Sequence, residues 1–289
     1  MRRCSEKSGF VLVMVLLVLT ICGAVLAAAA RHGARGAIDA AGAQRDLQWR
    51  WGALSCRAAV LPRAAKVMVA AEQPSAPEIN RSVCLGDMTF LLILGDEQAK
   101  ANVNAFADRD SVGMLEAHLR RLQTDAREVL PVRLRPLPPR GGGGPAAPKY
   151  ASFDQVFAAP RPGILFEPQA NGGPVVRRRV TCWGNGRIDL HRADLPVLRE
   201  TLAGLLTEAT IAKLDNLRRE KPDFGLNDAF NAMQLSKEQL SALTPRLVAQ
   251  PDCYSLWLSA DAKTRSWRRL YVTQTSAGDA GESNWTFAW

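Results

Sequence analysis

The run from Phe10 to Ala30 carries no charged residue across 21 positions. As a helix rising 1.5 Å per residue it is about 31 Å long, the hydrocarbon thickness of a bilayer. Arg2, Arg3 and Lys7 precede it, so the positive-inside bias keeps the N-terminus in the cytoplasm and sends the rest of the chain across. A secretory signal peptide has a shorter apolar stretch, of about 7–15 residues, followed by a small-residue cleavage site. Ala27-Ala28-Ala29 could serve as such a site, but the length of the run favours a helix that is retained. A lipoprotein signal at Leu19-Thr20-Ile21-Cys22 is set aside because Ile21 is too bulky to precede a lipidated cysteine.

The 289 residues suffice for one large domain or two small ones beyond this helix. Hydrophobic residues at 47% and charged residues at 22% are those of a folded protein. The net charge of +9 falls by two if residues 1–9 are removed, since Arg2, Arg3 and Lys7 outweigh Glu6. Such a basic exterior is compatible with lipid, nucleic acid or acidic partners and selects none of them. Cys4 precedes the apolar run and Cys22 lies inside it, which leaves Cys56, Cys84, Cys182 and Cys253 in a compartment that permits disulfides. Four cysteines allow three pairings, which sequence does not distinguish. None has the close spacing of a zinc site.

From Arg31 to Leu61 the chain is Ala-rich and Pro-free, and Leu47, Trp51, Leu54, Ala58 and Leu61 recur at helical spacing. The membrane helix is therefore expected to continue outward as an amphipathic stem to Pro62, loosened by Gly33, Gly36, Gly42 and Gly52. Met88–Leu94 reads as a buried strand, and Tyr254–Leu258, Trp267–Thr273 and Trp285–Trp289 as three more, with Trp285, Phe287 and Trp289 on one face. These predict a four-stranded, mostly antiparallel sheet covering the stem. Between them the spacing predicts helices over Ser111–Val129, from an Asp194 N-cap, over Thr207–Arg219 and over Ser236–Leu247, the last opened by a Ser236/Gln239 capping box. The Pro/Gly-rich stretch 131–148 reads as a linker.

Two segments of this block echo each other. Asp96-Glu97-Gln98-Ala99-Lys100-Ala101-Asn102-Val103-Asn104 precedes one Leu-rich helix, and Gly184-Asn185-Gly186-Arg187-Ile188-Asp189-Leu190-His191 precedes another. Each has a basic residue followed by two polar residues flanking an aliphatic one. Short polar side chains at such positions hydrogen-bond loop backbone and cap the next helix, while Val103 or Leu190 anchors the turn in the core.

The junction Lys7-Ser8-Gly9-Phe10 resembles the site at which prepilin peptidase cuts type IV pilins and type II secretion pseudopilins. In those families the apolar segment survives cleavage, and the new N-terminal residue is methylated, here Phe10. Most pilins carry Glu five residues into the mature chain; this position is Met14. A carboxylate in the bilayer is expensive and kept only for a purpose, in this family pairing with a neighbouring subunit's N-terminal amine. Its absence, together with the paired motifs, resembles the minor pseudopilin K family (general secretion pathway protein K). Asn102 and Asn104 match that family's alternating asparagines; Asp189 and His191 replace them in the second copy, and Ala101 replaces the usual Ile in the first.

The resemblance implies an α+β, pilin-like fold: a long N-terminal helix, transmembrane in its first half, packed on a small antiparallel sheet with a large inserted all-α domain. The expected divisions are a leader (1–9), a membrane helix (10–30), a stem with the first strand or strands (31–95), the inserted helical domain (96–250) and C-terminal strands (251–289). The resemblance also implies cleavage after Gly9, and the motif positions Asp96, Glu97, Lys100, Asn102, Asn104, Gly186, Arg187, Asp189 and His191 carry a structural role. Expected partners are the I- and J-type minor pseudopilins, the major pseudopilin, prepilin peptidase, inner-membrane lipid, and secreted cargo or the outer-membrane secretin.

Two other classes compete. Similar alternating motifs introduce helix-hairpin-helix units that bind DNA backbone at a Gly-x-Gly turn, and Arg177-Arg178-Arg179 and Arg218-Arg219 could touch phosphate. The turn after Leu198 reads Ala203-Gly204-Leu205-Leu206-Thr207, one glycine where that unit has two, and a charge run is usually a solvated face. A minor pilin of a type IV pilus is the other alternative. An enzyme is not expected: His32, His118 and His191 are the only histidines, and no nucleophile elbow, zinc-protease motif or phosphate loop occurs. No cofactor is expected, with calcium at Asp96/Glu97 or Asp279/Glu282 as the weaker alternative to solvated acids.

Overall fold

The computed structural model describes residues 6–73, 75–126, 129–135, 149–158, 165–166, 175–221, 223–248, 250–262, 265–275 and 282–288. The greater part of the Pro/Gly-rich stretch, together with Cys4, Asp279 and Trp289, lies outside the described residues. Two compact units are present, Met1–Trp51 and Gly52–Trp289.

In the first unit the chain is one helix, α1, which runs Glu6–Val60 and so continues into the second. The glycines do not break it: Gly23, Gly33, Gly36 and Gly42 each stand alone among good helix formers, so each costs only about 1 kcal/mol. Thr20, the one hydroxyl in the apolar run, donates to the carbonyls of Leu16 and Leu17 at 3.0 and 2.8 Å, which leaves no free polar group there. Phe10 through Leu26 are exposed, and this is a helix long and apolar enough to cross a membrane.

The second unit is α+β. Strands β1 (Glu78–Leu85), β2 (Met88–Asp96), β7 (Cys253–Ala262), β8 (Arg265–Thr275) and β9 (Glu282–Ala288) form an antiparallel sheet in the order β1-β2-β7-β8-β9. It has five strands rather than the expected four. The additional strand, β1, is an edge with mostly half-exposed or exposed side chains, so it lacks the alternating apolar signal of a buried strand. A two-residue turn joins it to β2, with Gly86 at φ +60° as its first residue.

The sheet has two covered faces. On one, Gly52 of α1 sits so close to Phe90 that a Cβ would lie 2.2 Å from the ring, and Arg57 lies over the Tyr271 ring at 5.2 Å. The stem therefore meets the sheet at Gly52 and Arg57, with Ala53 and Cys56 also buried, and not at Leu54 of the Leu-rich stripe the spacing suggested. Leu47, Trp51 and Leu54 of that stripe are 56%, 64% and 44% exposed. Small residues win the sheet-facing positions because only they let helix backbone approach a packed aromatic ring.

The opposite face carries a transverse row, Ile93-Trp257-Leu270-Phe287, in register across four strands. Trp257 meets Phe166 edge-on at 5.0 Å and Trp183 at 6.3 Å, so this face and the helical block share one hydrophobic core. After the stem comes the short helix α2 (Ala64–Val69), and the block contains α3 (Val103–Arg109), α4 (Val112–Arg121), α5 (Leu195–Thr201), α6 (Glu208–Glu220), α7 (Leu226–Met233) and α8 (Lys237–Leu243). It is not all-α: β3 (Ala101–Asn102) pairs parallel with β4 (Val180–Thr181), and β5 (Ile188–Asp189) with β6 (Leu247–Val248).

One local signal acts as expected: Ser236 and Gln239 form the reciprocal box on α8 at 3.2 and 3.1 Å. Others do not. Thr207, read as the first residue of its helix, instead caps α6 through Thr210 N at 3.3 Å. Asp194 makes no cap bond, because Arg178 holds its carboxylate at 3.2 Å. Helix α4 stops at Arg121 rather than running to Val129, since the Gln123 amide binds the carbonyls of Leu119 and Leu130 and accepts from Leu130 N, turning the chain back.

Candidate functional site

The first motif begins where β2 ends. The Asp96 carboxylate accepts from Gln98 N at 2.9 Å and starts a single 3₁₀ turn, Glu97–Ala99. That turn carries Glu97 beneath the sheet, where its carboxylate accepts from the Ser255 and Thr181 hydroxyls and from Lys100 Nζ at 2.6 Å. Lys100 also reaches Glu78 of β1 at 3.2 Å, and Arg177 grips Glu78 with two donors at 3.2 and 3.1 Å. Gly95 makes room for this cluster: a Cβ there would lie 2.9 Å from Ser255 Oγ and 3.0 Å from Lys100 Nζ.

All four side chains are buried, and Glu78 and Lys100 are held ionised by their partners. Burial would push the Glu78 carboxyl up, but Arg177 and Lys100 together hold it below its usual range. Burial would likewise lower Lys100, but Glu97 and Glu78 hold it above the ordinary ammonium value. Such a cluster adds little net stability, yet breaking one half of it leaves an uncompensated buried charge.

Beyond the turn, Asn102 Oδ1 accepts from Asn104 N and Ala105 N at 2.8 and 3.1 Å and so caps α3, while its amide donates to Trp183 O at 2.7 Å. Asn104 binds Tyr150 through both ends of its amide, at 2.7 and 2.9 Å, and donates to Cys182 O at 2.8 Å. Val103, between them, is fully buried, as expected of the anchor.

The second motif packs directly on the first. Gly186 has φ +76°, and a Cβ there would lie 2.8 Å from the Ala105 Cβ. Gln98 bridges the two: its amide donates to Asn185 Oδ1 at 2.9 Å, and its carbonyl accepts from Asp252 N at 2.7 Å. Asp189 repeats the role of Asn102 in accepting a backbone N–H two residues on, from His191 at 2.8 Å. The His191 ring stacks on Phe224 at 4.2 Å. Arg187, unlike Lys100, is exposed.

The structure therefore gathers Asp96, Glu97, Lys100, Asn102, Asn104, Gly186, Asp189 and His191 into one junction and leaves Arg187 at its surface; Gly9, Phe10 and exposed Met14 lie on α1. Sequence reasoning missed Glu78, Gln98, Arg177, Thr181, Arg192 and Ser255. Arg177-Arg178-Arg179 is not a solvated face: Arg177 is fully buried on Glu78, Arg178 pairs with Asp194, and Arg179 pairs with Asp125 and donates to Leu122 O. Arg218 donates to the carbonyls of His191 and Ala193 at 2.6 and 2.7 Å. His118 stacks on Phe106 and lies 2.7 Å from Glu200, a structural setting.

Cys56, Cys84, Cys182 and Cys253, whose pairing the sequence left open, are all free thiols. Cys84 lies exposed on β1 near Thr89, whereas Cys182 and Cys253 serve as small core residues whose thiols burial pushes up. Asp96 and Glu97 face Arg192 and Lys100 rather than open space, and no group of three or more metal-ligating side chains occurs among the described residues.

No family model matches the chain, and no curated protein does. Among solved structures, it is similar to a chain of the GspK-GspI-GspJ complex from the type 2 secretion system of enterotoxigenic Escherichia coli. The identity is 13%, the match covers 86% of this chain and 98% of that one, and the TM-score is 0.46.

Proposed function

We propose that this protein is a minor pseudopilin of a type II secretion system that starts or caps a short periplasmic fibre and has no enzymatic activity. The observation that carries this reading is the Gly9-Phe10 junction at the head of an unbroken, exposed apolar helix whose fifth mature position is Met14. Prepilin peptidase would cut after Gly9, Phe10 would be methylated, and the retained helix would anchor the protein in the cytoplasmic membrane with its bulk outside. Without a carboxylate at Met14, the subunit lacks the usual pairing with a neighbouring amine, which suits an end position. The exposed stripe Leu47, Trp51 and Leu54 would offer apolar surface to helices of the I-type, J-type and major subunits. Contacts with cargo or the outer-membrane secretin would fall to the sheet and helical block.

The DNA-receptor reading is disfavoured because four of its five candidate arginines, Arg177, Arg178, Arg179 and Arg218, are committed to Glu78, Asp194, Asp125 and backbone carbonyls, which leaves only Arg219, itself paired with Asp215, at the surface. In cells carrying prepilin peptidase, Gly9→Val is expected to leave the leader uncut and abolish co-purification with other pseudopilins. Normal processing of that variant would refute the assignment.

A further inference from the structure

The polar part of α1 is strongly biased in charge. From Arg31 to Val60 it carries five arginines, Arg31, Arg35, Arg45, Arg50 and Arg57, against two acids, Asp39 and Asp46. The stripe Leu47, Trp51 and Leu54 lies exposed on the same helix. The side-chain neighbours of a helical residue are those three and four positions away. Around this stripe those neighbours are small or neutral, with Gln44, Gln48 and Ser55 along one flank, save for two arginines on the other. Arg50 stands three residues after Leu47 and four before Leu54, is exposed, and pairs with no acid among the described residues. Arg57, three residues after Leu54, is half-buried over the Tyr271 ring. The nearest acid, Asp46, is half-buried and turned about 100° from Leu47 around the helix. An apolar ridge with a positive border on one side and no negative one is what remains.

We infer that this face receives a partner helix whose own apolar ridge is bordered by aspartate or glutamate, with a carboxylate set against Arg50. The inference rests on the fibre-subunit reading for the kind of partner, and adds the chemistry by which that partner is chosen.

A helix suits the face because residues four and three apart form a ridge that fits the groove of a second helix. Tryptophan and arginine are also the side chains that most often anchor an interface. A second copy of this chain does not suit it. A two-fold contact is self-complementary and would set Arg50 close to its own counterpart. A lipid surface is out of reach: Leu47 lies 17 residues beyond Ala30 in the continuous helix, about 26 Å along its axis. The interfacial layer outside the hydrocarbon is about 5–8 Å thick, and salt confines attraction to anionic headgroups within about 8 Å. A nucleic acid would answer Arg50 but leave Leu47, Trp51 and Leu54 in water. Exposed ion pairs at the rim add little affinity; their effect is to speed docking of the acidic partner and to reject a basic one.

The test uses the full chain in phosphatidylcholine nanodiscs, with empty nanodiscs as the baseline. The probes are two fluorescent helical peptides that share one leucine ridge, flanked in one by glutamates and in the other by lysines. Anisotropy should show the glutamate peptide binding about tenfold more tightly, with the difference shrinking as salt rises from about 0.05 to 0.5 M. Arg50→Glu should reverse the preference, and Trp51→Ser should weaken both peptides about tenfold. Equal binding of the two peptides, binding of neither, or an unchanged preference in Arg50→Glu would overturn the proposal. Displacement of the glutamate peptide by duplex DNA or by phosphatidylglycerol vesicles would also overturn it, and would assign the face to nucleic acid or to lipid. Both substituted positions are exposed; should either variant misfold, the wild-type preference and its salt dependence decide the matter. The assay needs no prepilin peptidase, so its failure leaves cleavage after Gly9 standing, and a failure of cleavage leaves the peptide result standing.

Discussion

The two motif copies share a pattern and differ in what the pattern carries. In both, a polar residue at the end of a two-residue parallel strand accepts a backbone N–H two positions on, and a buried aliphatic residue follows it: Asn102 then Val103, Asp189 then Leu190. In the first copy the preceding basic residue, Lys100, is buried between Glu97 and Glu78; in the second, Arg187 is exposed. The repeated part is turn geometry, which short-range chemistry sets. The basic residue's job is set by whatever the sheet brings above it, and only the first copy lies under Ser255 and Glu78.

The largest expected effect tests this asymmetry directly. Lys100→Met should leave Glu97 buried without its cation, Glu78 keeping Arg177, and cost about 3–5 kcal/mol of unfolding free energy, read from urea midpoints of the full chain in micelles. Arg187→Ala should change it by less than about 0.5 kcal/mol. Equal effects would mean that the copies are equivalent. An intermediate case probes the contact between them: Gly186→Ala adds a Cβ at φ +76° that would lie 2.8 Å from Ala105. It should cost about 1–3 kcal/mol, more than Gly204→Ala at φ +77°, where no atom lies within 4 Å.

The same contrast between short-range and long-range causes explains what could be read from the sequence. The apolar helix, the antiparallel strands of the C-terminus and the Ser236/Gln239 box were legible because each depends on residues within about one turn or one strand. The stem's packing face was not. Leu47, Trp51 and Leu54 share a helical face, but so do Gly52, Ala53 and Cys56, and periodicity alone does not say which meets a sheet. The size of Phe90 decides it. Strand β1 was invisible because Arg81, Ser82, Val83 and Cys84 are exposed at an edge. The ion pairs joining Glu78 to Arg177 and Asp96 to Arg192 cross more than 90 residues of chain, and no local pattern announces a partner at that range.

The cysteines carry a related lesson. A compartment that permits disulfides does not require them: Cys56, Cys182 and Cys253 are buried, the last two in one core, where a thiol serves as a small apolar residue.

The account stands or falls on whether the apolar helix stays with the finished protein. Intact-mass and N-terminal analysis of the protein recovered from membranes of a host with prepilin peptidase measures this directly. The expected product begins at N-methylated Phe10 and retains all of α1 from that residue onward. A product whose first residue lies just after Ala29 would have lost the apolar helix, and the fibre-subunit reading would be contradicted.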